Sequence, residues 1–214
     1  MEAATKIERL AIPGPAGELE ALLEWNPEWM PRQLAIVCHP HPLYGGSMHN
    51  KVVFRAAKAA THLAVPALRF NFRGVGHSAG KYAEGIGERD DARAAIDYLT
   101  ERFPQIPVSI MGFSFGSVVA LAVGSADRRV NSLVGIGLPV NSSDFGFLNE
   151  VRKPKLVVQG TDDRFGSWEN VEKLFHSLKE PKRLHFVQGA DHFLTGKLHD
   201  LQFEIQDFLQ GVLS

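Results

Sequence analysis

The 214-residue chain predicts an α/β fold: a mainly parallel, doubly wound sheet of about eight strands flanked by helices. Three observations predict it. Apolar runs of strand length alternate with segments carrying apolar residues at helical spacing, the order that yields parallel strands through right-handed crossovers. Glycine- and proline-rich stretches directly follow several of these runs, at the strand ends where open α/β sheets bind ligands. The composition, 44% hydrophobic and 22% charged, suits one sizeable core but the chain is short for two, so a single domain over residues 1–214 is expected.

Lys6 to Ile12 and Gly17 to Trp25 alternate apolar residues on either side of Pro13-Gly14-Pro15, which predicts an antiparallel opening. Gln33 to Cys38 is a continuous apolar run, and His39-Pro40-His41-Pro42-Leu43-Tyr44-Gly45-Gly46 ends it because prolines and glycines forbid a regular continuation. Asn50 to Leu63 places alanines and valines at helical spacing and leaves Lys51, Arg55 and Lys58 to solvent, as a crossover helix does. Ala67 to Phe72 is the next strand, followed by a second glycine-rich loop, Arg73 to Gly80. Glu88 to Arg102 gathers Ala92, Ala95, Ile96 and Leu99 on one helical face, with acids at its start and Arg102 at its end as the helix dipole favours; Pro104 stops it. Val108 to Met111 is a short buried strand, and Ser117 to Val123 is small and apolar without breakers, a helix packed on all sides. Val130 to Val140, Lys155 to Gln159 and Arg183 to Val187 are the remaining strands. Ser167 to Leu178, with Trp168, Val171, Leu174 and Phe175 inward, and Lys197 to Leu213 are helices, in a count of about six helices. Asn141 to Arg152 is too short for a cap domain, and no internal repeat is present.

A net charge of −1 gives no basic field for nucleic acid and no polybasic segment for an anionic membrane. The opening MEAATKIERL has two acids and no apolar run, which argues against a secretory signal, and no stretch reaches membrane-span length. A cytoplasmic protein with a small-molecule partner is expected. The single cysteine, Cys38, lies in an apolar run and reads as a buried, inert thiol.

The chemistry centres on Gly112-Phe113-Ser114-Phe115-Gly116, between a strand and a helix. In that context G-x-S-x-G is a nucleophile elbow: a sharp turn that exposes the serine above the sheet, with glycines where a side chain would collide with the adjoining strand or helix. A serine hydroxyl is a poor nucleophile at neutral pH, so it needs a base in hydrogen-bond reach and a third group to orient that base. Two further loops offer them. Gly160-Thr161-Asp162-Asp163-Arg164 and Gly189-Ala190-Asp191-His192-Phe193 each follow a strand, giving the chain order serine, acid, histidine. His192 is the base; the acid is Asp163 or Asp162, since an Asp-Asp pair in a turn also serves as a cap. An oxyanion needs two N–H donors: the first is that of Phe115, and the second comes from the loop after Cys38, where Pro40 and Pro42 have none and His41 and Leu43 both qualify.

These motifs resemble the α/β-hydrolase superfamily, and within it the small, capless bacterial serine hydrolases that carry HPHPLYGG, NFRGVGHS, GFSFG and GADHF in this order along nearly the whole chain. The resemblance implies an α/β-hydrolase fold without a cap domain. It implies Ser114 as nucleophile, His192 as base and Asp163 as acid, the family's late acidic turn placing the carboxylate three residues after a glycine such as Gly160. Superfamily analogy favours His41 for the second donor, while the first N–H beyond the proline pair is that of Leu43, and both stay open. It implies a carboxylesterase for short acyl esters, without cofactor or metal, with Tyr44 and Phe115 lining the acyl pocket. Arg73 is expected to brace loops, Asp191 to brace its own, and His41, His49 and His77 to lack a catalytic side chain role.

Rival readings have their own signatures. A metal site could draw on His39, His41, His49, Asp162, Asp163 and Asp191, but two prolines lock the H-x-H segment and the elbow would go unexplained. A thioesterase or acyl-peptide hydrolase would use the same triad. A non-catalytic binding protein on this fold would lack a triad member, whereas all three residue types are present in order.

Overall fold

The computed structural model describes residues 5–213; residues 1–4, part of the stretch read for targeting, lie outside the described residues. Eight strands form one sheet: β1 (Lys6–Ile12), β2 (Leu19–Trp25), β3 (Leu34–Cys38), β4 (Ala67–Phe70), β5 (Val108–Phe113), β6 (Val130–Ile136), β7 (Lys155–Gly160) and β8 (Lys182–Val187). Their order across the sheet is β1-β2-β4-β3-β5-β6-β7-β8. The β1–β2 and β2–β4 pairs are antiparallel and every other pair is parallel. The antiparallel opening and the parallel remainder are those expected from the hairpin turn and the helical crossovers.

Five α-helices cover the two faces: α1 (Lys51–Thr61), α2 (Ile86–Arg102), α3 (Phe115–Ala126), α4 (Trp168–Ser177) and α5 (Leu198–Leu213). This is one fewer than the sequence count. Among the described residues, Pro42–Tyr44 and Gly146–Leu148 close only single 3-10 turns, too short to nucleate an α-helix. Strand alternation divides the core. Leu34, Ile36 and Cys38 of β3 pack with Ala92, Ile96 and Leu99 of α2, Val119 of α3 and Val171 of α4. Ala35 and Val37 turn to the other face, against Val52, Val53 and Ala56 of α1 and Leu201, Ile205 and Leu209 of α5. Cys38 is free and buried, and burial pushes its thiol far above the ordinary range, which keeps it inert.

Most element bounds match the sequence reading within two residues, but β6 stops at Ile136, not Val140. Gly137 adopts φ 55° and its N–H donates to the Val158 carbonyl (2.9 Å), so the chain leaves the sheet there. The apolar Leu138-Pro139-Val140 prolongs the run in sequence but belongs to the loop that walls the site. No helix among the described residues is long and apolar enough to cross a membrane.

Candidate active site

Ser114 stands at the junction of β5 and α3 with φ 54° and ψ −123°. Such a conformation costs a non-glycine residue about 1–3 kcal/mol. Its surroundings hold it. The Ser114 N–H donates to the Ile136 carbonyl of β6 (2.9 Å), and the Ser114 carbonyl accepts from the Ser117 N–H (2.8 Å) and hydroxyl (2.6 Å). The flanking glycines are required by close approach: a Cβ on Gly112 would lie 2.1 Å from the Gly116 carbonyl oxygen, and one on Gly116 would lie 2.4 Å from that of Cys38. The second contact presses the start of α3 onto the end of β3.

The loops after β7 and β8 bring the other two groups to this point. His192 Nε2 lies 2.9 Å from Ser114 Oγ, and His192 Nδ1 lies 2.7 Å from Asp163 Oδ2. An ionised carboxylate only accepts, so Nδ1 carries the proton and Nε2 offers its lone pair to the serine hydroxyl. Asp163 and His192 are 4% and 6% exposed, which strengthens the electrostatic coupling between them. Asp163 also accepts from Gln159 Nε2 on Oδ2 (2.8 Å) and from the Phe165 N–H on Oδ1 (2.8 Å). Gln159 is itself fixed, donating to the Gly166 carbonyl (2.8 Å) and accepting from the Leu138 N–H (2.7 Å). Phe113, Phe165 and Phe193 surround the imidazole, with ring centroids 5.0, 4.5 and 5.4 Å away.

The rival acid is elsewhere. Asp162 is exposed and its carboxylate accepts from the Thr161 hydroxyl (3.2 Å), not from His192. Asp191 accepts from the Thr195 N–H and hydroxyl (both 2.9 Å), and that backbone bond above all holds its carboxyl below the usual range. It braces its loop, as expected.

The Phe115 N–H is the first of α3 and has no acceptor in its own helix. Across from it, the Leu43 N–H donates to His41 Nδ1 (3.2 Å), while the Tyr44 and Gly46 N–H groups both donate to the His41 carbonyl (3.1 Å each). Leu43 is 66% exposed and its amide is engaged. The His41 N–H makes no hydrogen bond among the described residues, whereas that of Leu43 is engaged.

Beside Ser114 lies a cavity of about 410 Å³. Its lining combines Phe115, Val118 and Val119 of α3 with His41, Tyr44, Tyr82, Pro139 and Phe165, and includes the charged Glu84 and Arg89. The His41 ring packs against Tyr44, Tyr82 and Phe115 at 4.7, 4.9 and 4.9 Å. Tyr44 and Phe115 line this cavity beside Ser114, and Leu43 does not.

Of the other histidines singled out in the sequence, one is held in the core. His39 is fully buried; its Nε2 accepts from the Phe72 N–H (3.0 Å) and its Nδ1 faces the Pro40 carbonyl (2.6 Å), so both nitrogens are engaged. Burial pushes its pKa down to about 4. His49 and His77 are exposed. Among the described residues no three His, Cys, Asp or Glu side chains are grouped as a metal ion would need. Arg73 is clasped by Asp91, Nη2 to Oδ1 at 2.7 Å and Nε to Oδ2 at 3.0 Å, and so holds the loop after β4 to α2.

Three contributors escaped the sequence reading: Gln159, Tyr82 and Phe165. A lone amide ending the apolar strand KLVVQG one residue before an acidic turn was a usable signal for Gln159. Tyr82 and Phe165 lie in aperiodic loops whose course is set by distant contacts, and nothing local marks them.

A family model described as an alpha/beta hydrolase domain matches residues 37–207. An uncharacterised protein of Rickettsia prowazekii (strain Madrid E) is 37% identical over 190 residues, 85% of this chain and 80% of its own. The crystal structure of an α/β serine hydrolase without a lid from Xanthomonas campestris is 35% identical, with TM-score 0.88, over 97% of this chain and 95% of that one. An α/β serine hydrolase homologue from Coxiella burnetii is 36% identical, with TM-score 0.88, over 94% of this chain and 96% of that one.

Proposed function

The chain belongs to the alpha/beta hydrolase domain family, and we propose that it is a serine carboxylesterase that hydrolyses short-chain acyl esters through an acyl-enzyme. The observation that carries this reading is the continuous relay from Ser114 Oγ to His192 Nε2 (2.9 Å) and from His192 Nδ1 to Asp163 (2.7 Å). In the proposed reaction His192 takes the Ser114 proton as Oγ adds to the ester carbonyl. The oxyanion so formed faces the N–H groups of Phe115 and His41, at the positive end of the α3 dipole. Collapse expels the alcohol, which receives the proton from His192 Nε2. Water then repeats the sequence on the acyl-enzyme, releasing the carboxylic acid and restoring Ser114. Asp163 keeps the imidazole in the required tautomer and faces the imidazolium that forms.

The short-chain preference follows from the walls. The segment after β6 contributes Pro139 and Ser142 to one side of the cavity but builds no roof, and the similar Xanthomonas hydrolase is likewise described as lacking a lid. A chain longer than the cavity would leave methylenes in water, each forgoing about 0.8 kcal/mol.

A fluorophosphonate probe should label the protein, and Ser114→Ala and His192→Ala should abolish labelling. In a p-nitrophenyl ester series, kcat/KM should be highest for acyl chains of about two to six carbons and fall steeply beyond about eight. Labelling that survives Ser114→Ala would overturn the serine mechanism, and a monotonic rise to long chains would overturn the substrate class.

A further inference from the structure

We propose that Tyr82 is a positioning residue that acts through the His41 side chain to aim the His41 amide at the oxyanion; this rests on the serine-esterase reading above. The Tyr82 hydroxyl lies 3.1 Å from His41 Nε2, and the Leu43 N–H donates to His41 Nδ1 at 3.2 Å. A backbone amide can only donate, so Nδ1 supplies the lone pair. The ring is then the neutral Nε2–H tautomer, because an imidazolium would set one N–H against another. Burial acts in the same direction, lowering the basicity of His41. Nε2–H therefore donates, and the Tyr82 oxygen accepts.

The backbone explains why this ring matters to the amide. His41 has φ −53° and ψ 123°, and the proline that follows it restricts ψ. The softer angle is φ, which rotates the side chain relative to the His41 N–H. Anchoring the imidazole at both nitrogens fixes φ, and with it the direction of the amide. Tyr82 is a firm anchor: the Ala83 and Gly85 N–H groups directly after it donate to the buried carboxylate of Glu88 (2.8 and 2.7 Å) at the start of α2. The oxyanion loop after β3 is thus referred to a rigid helix through one hydroxyl–imidazole bond.

Tyr82→Phe keeps the ring against His41 and Phe115 and removes only the acceptor. It should lower kcat/KM about tenfold, less than the 10²–10³-fold that follows outright removal of a donor. The diagnostic readout is a trifluoromethyl ketone labelled with ¹³C at the carbonyl, whose hemiketal on Ser114 ionises with a pH-dependent shift. In Tyr82→Phe that ionisation should move to higher pH while the melting temperature holds. His41→Phe retains the amide but loses both side-chain bonds, so its loss should be at least as large, and the double variant should be no worse than His41→Phe alone. Wild-type ionisation in Tyr82→Phe, or additive losses in the double variant, would overturn the proposal. If wild-type protein forms no hemiketal at all, the esterase reading falls instead.

Discussion

Asp163 receives three hydrogen bonds, and each restricts a different freedom. The Phe165 N–H fixes one oxygen, Gln159 Nε2 the other, and the remaining lone pair of Oδ2 is left pointing at His192. Replacing one oxygen by an amide group changes the tautomer available to the imidazole, since an amide N–H facing Nδ1 would drive the proton to Nε2, where it blocks the serine. Asp163→Asn should therefore preserve the fold and lower kcat by about 10³–10⁴-fold. Asp162→Asn, at an exposed position, should change kcat by a factor of about two or less. Steady-state kinetics beside circular dichroism checks both; a reversed pattern would assign the acid to Asp162.

Between elements, the loops that carry the site are tied to helices by buried charge. Arg73 and Asp91 are 13% and 0% exposed in their side chains, and Asp91 also accepts the Arg73 backbone N–H (3.0 Å), so one carboxylate fixes both the main chain and the side chain after β4. Leaving one member of a buried ion pair alone costs about 3–5 kcal/mol, whereas replacing both by apolar groups of similar volume is often neutral. Asp91→Ala should lower unfolding free energy in urea by that amount, and Arg73→Met/Asp91→Leu by less, about the 1–3 kcal/mol of leaving the Arg73 N–H unpaired. Equal losses in the two would show that Arg73 and Asp91 contribute through packing instead. Glu24 makes a comparable buried junction, accepting from Arg69 (2.5 Å) and Lys58 (2.7 Å) to join β2, β4 and α1.

For the molecule as a whole, His39 links stability to pH. It joins the end of β3 to the chain after β4 as a neutral ring with a pKa of about 4, against roughly 6.5 in the unfolded chain. Between those values the unfolded state binds a proton that the native state does not, so the stabilising contribution is present above about pH 6.5 and is lost as pH falls toward 4. The loss from this group should reach roughly 3 kcal/mol. His39→Gln keeps an acceptor for the Phe72 N–H without titrating, and should flatten the urea-midpoint profile across that window. An unchanged slope would show that other groups carry the acid sensitivity.

The order of strands and helices, the sharp turn at Ser114 and the placing of His192 beside it were legible in the chain, because each depends on local patterning: apolar period, glycine at a forbidden Cβ position, a histidine just beyond a strand. The choices the chain left open are those between neighbours of the same chemistry. Asp162 and Asp163 differ only in which way consecutive residues of one turn point, and His41 and Leu43 only in which amide the loop consumes internally. Only the tertiary structure distinguishes them, by packing Gln159 and His192 onto Asp163 and by folding His41 Nδ1 back onto the Leu43 N–H. The same holds for Tyr82, which meets His41 from 41 positions away. Hydrogen bonds act over about 3 Å, and which groups come within that distance across separate loops is settled only when the sheet and its helices have set the loops side by side.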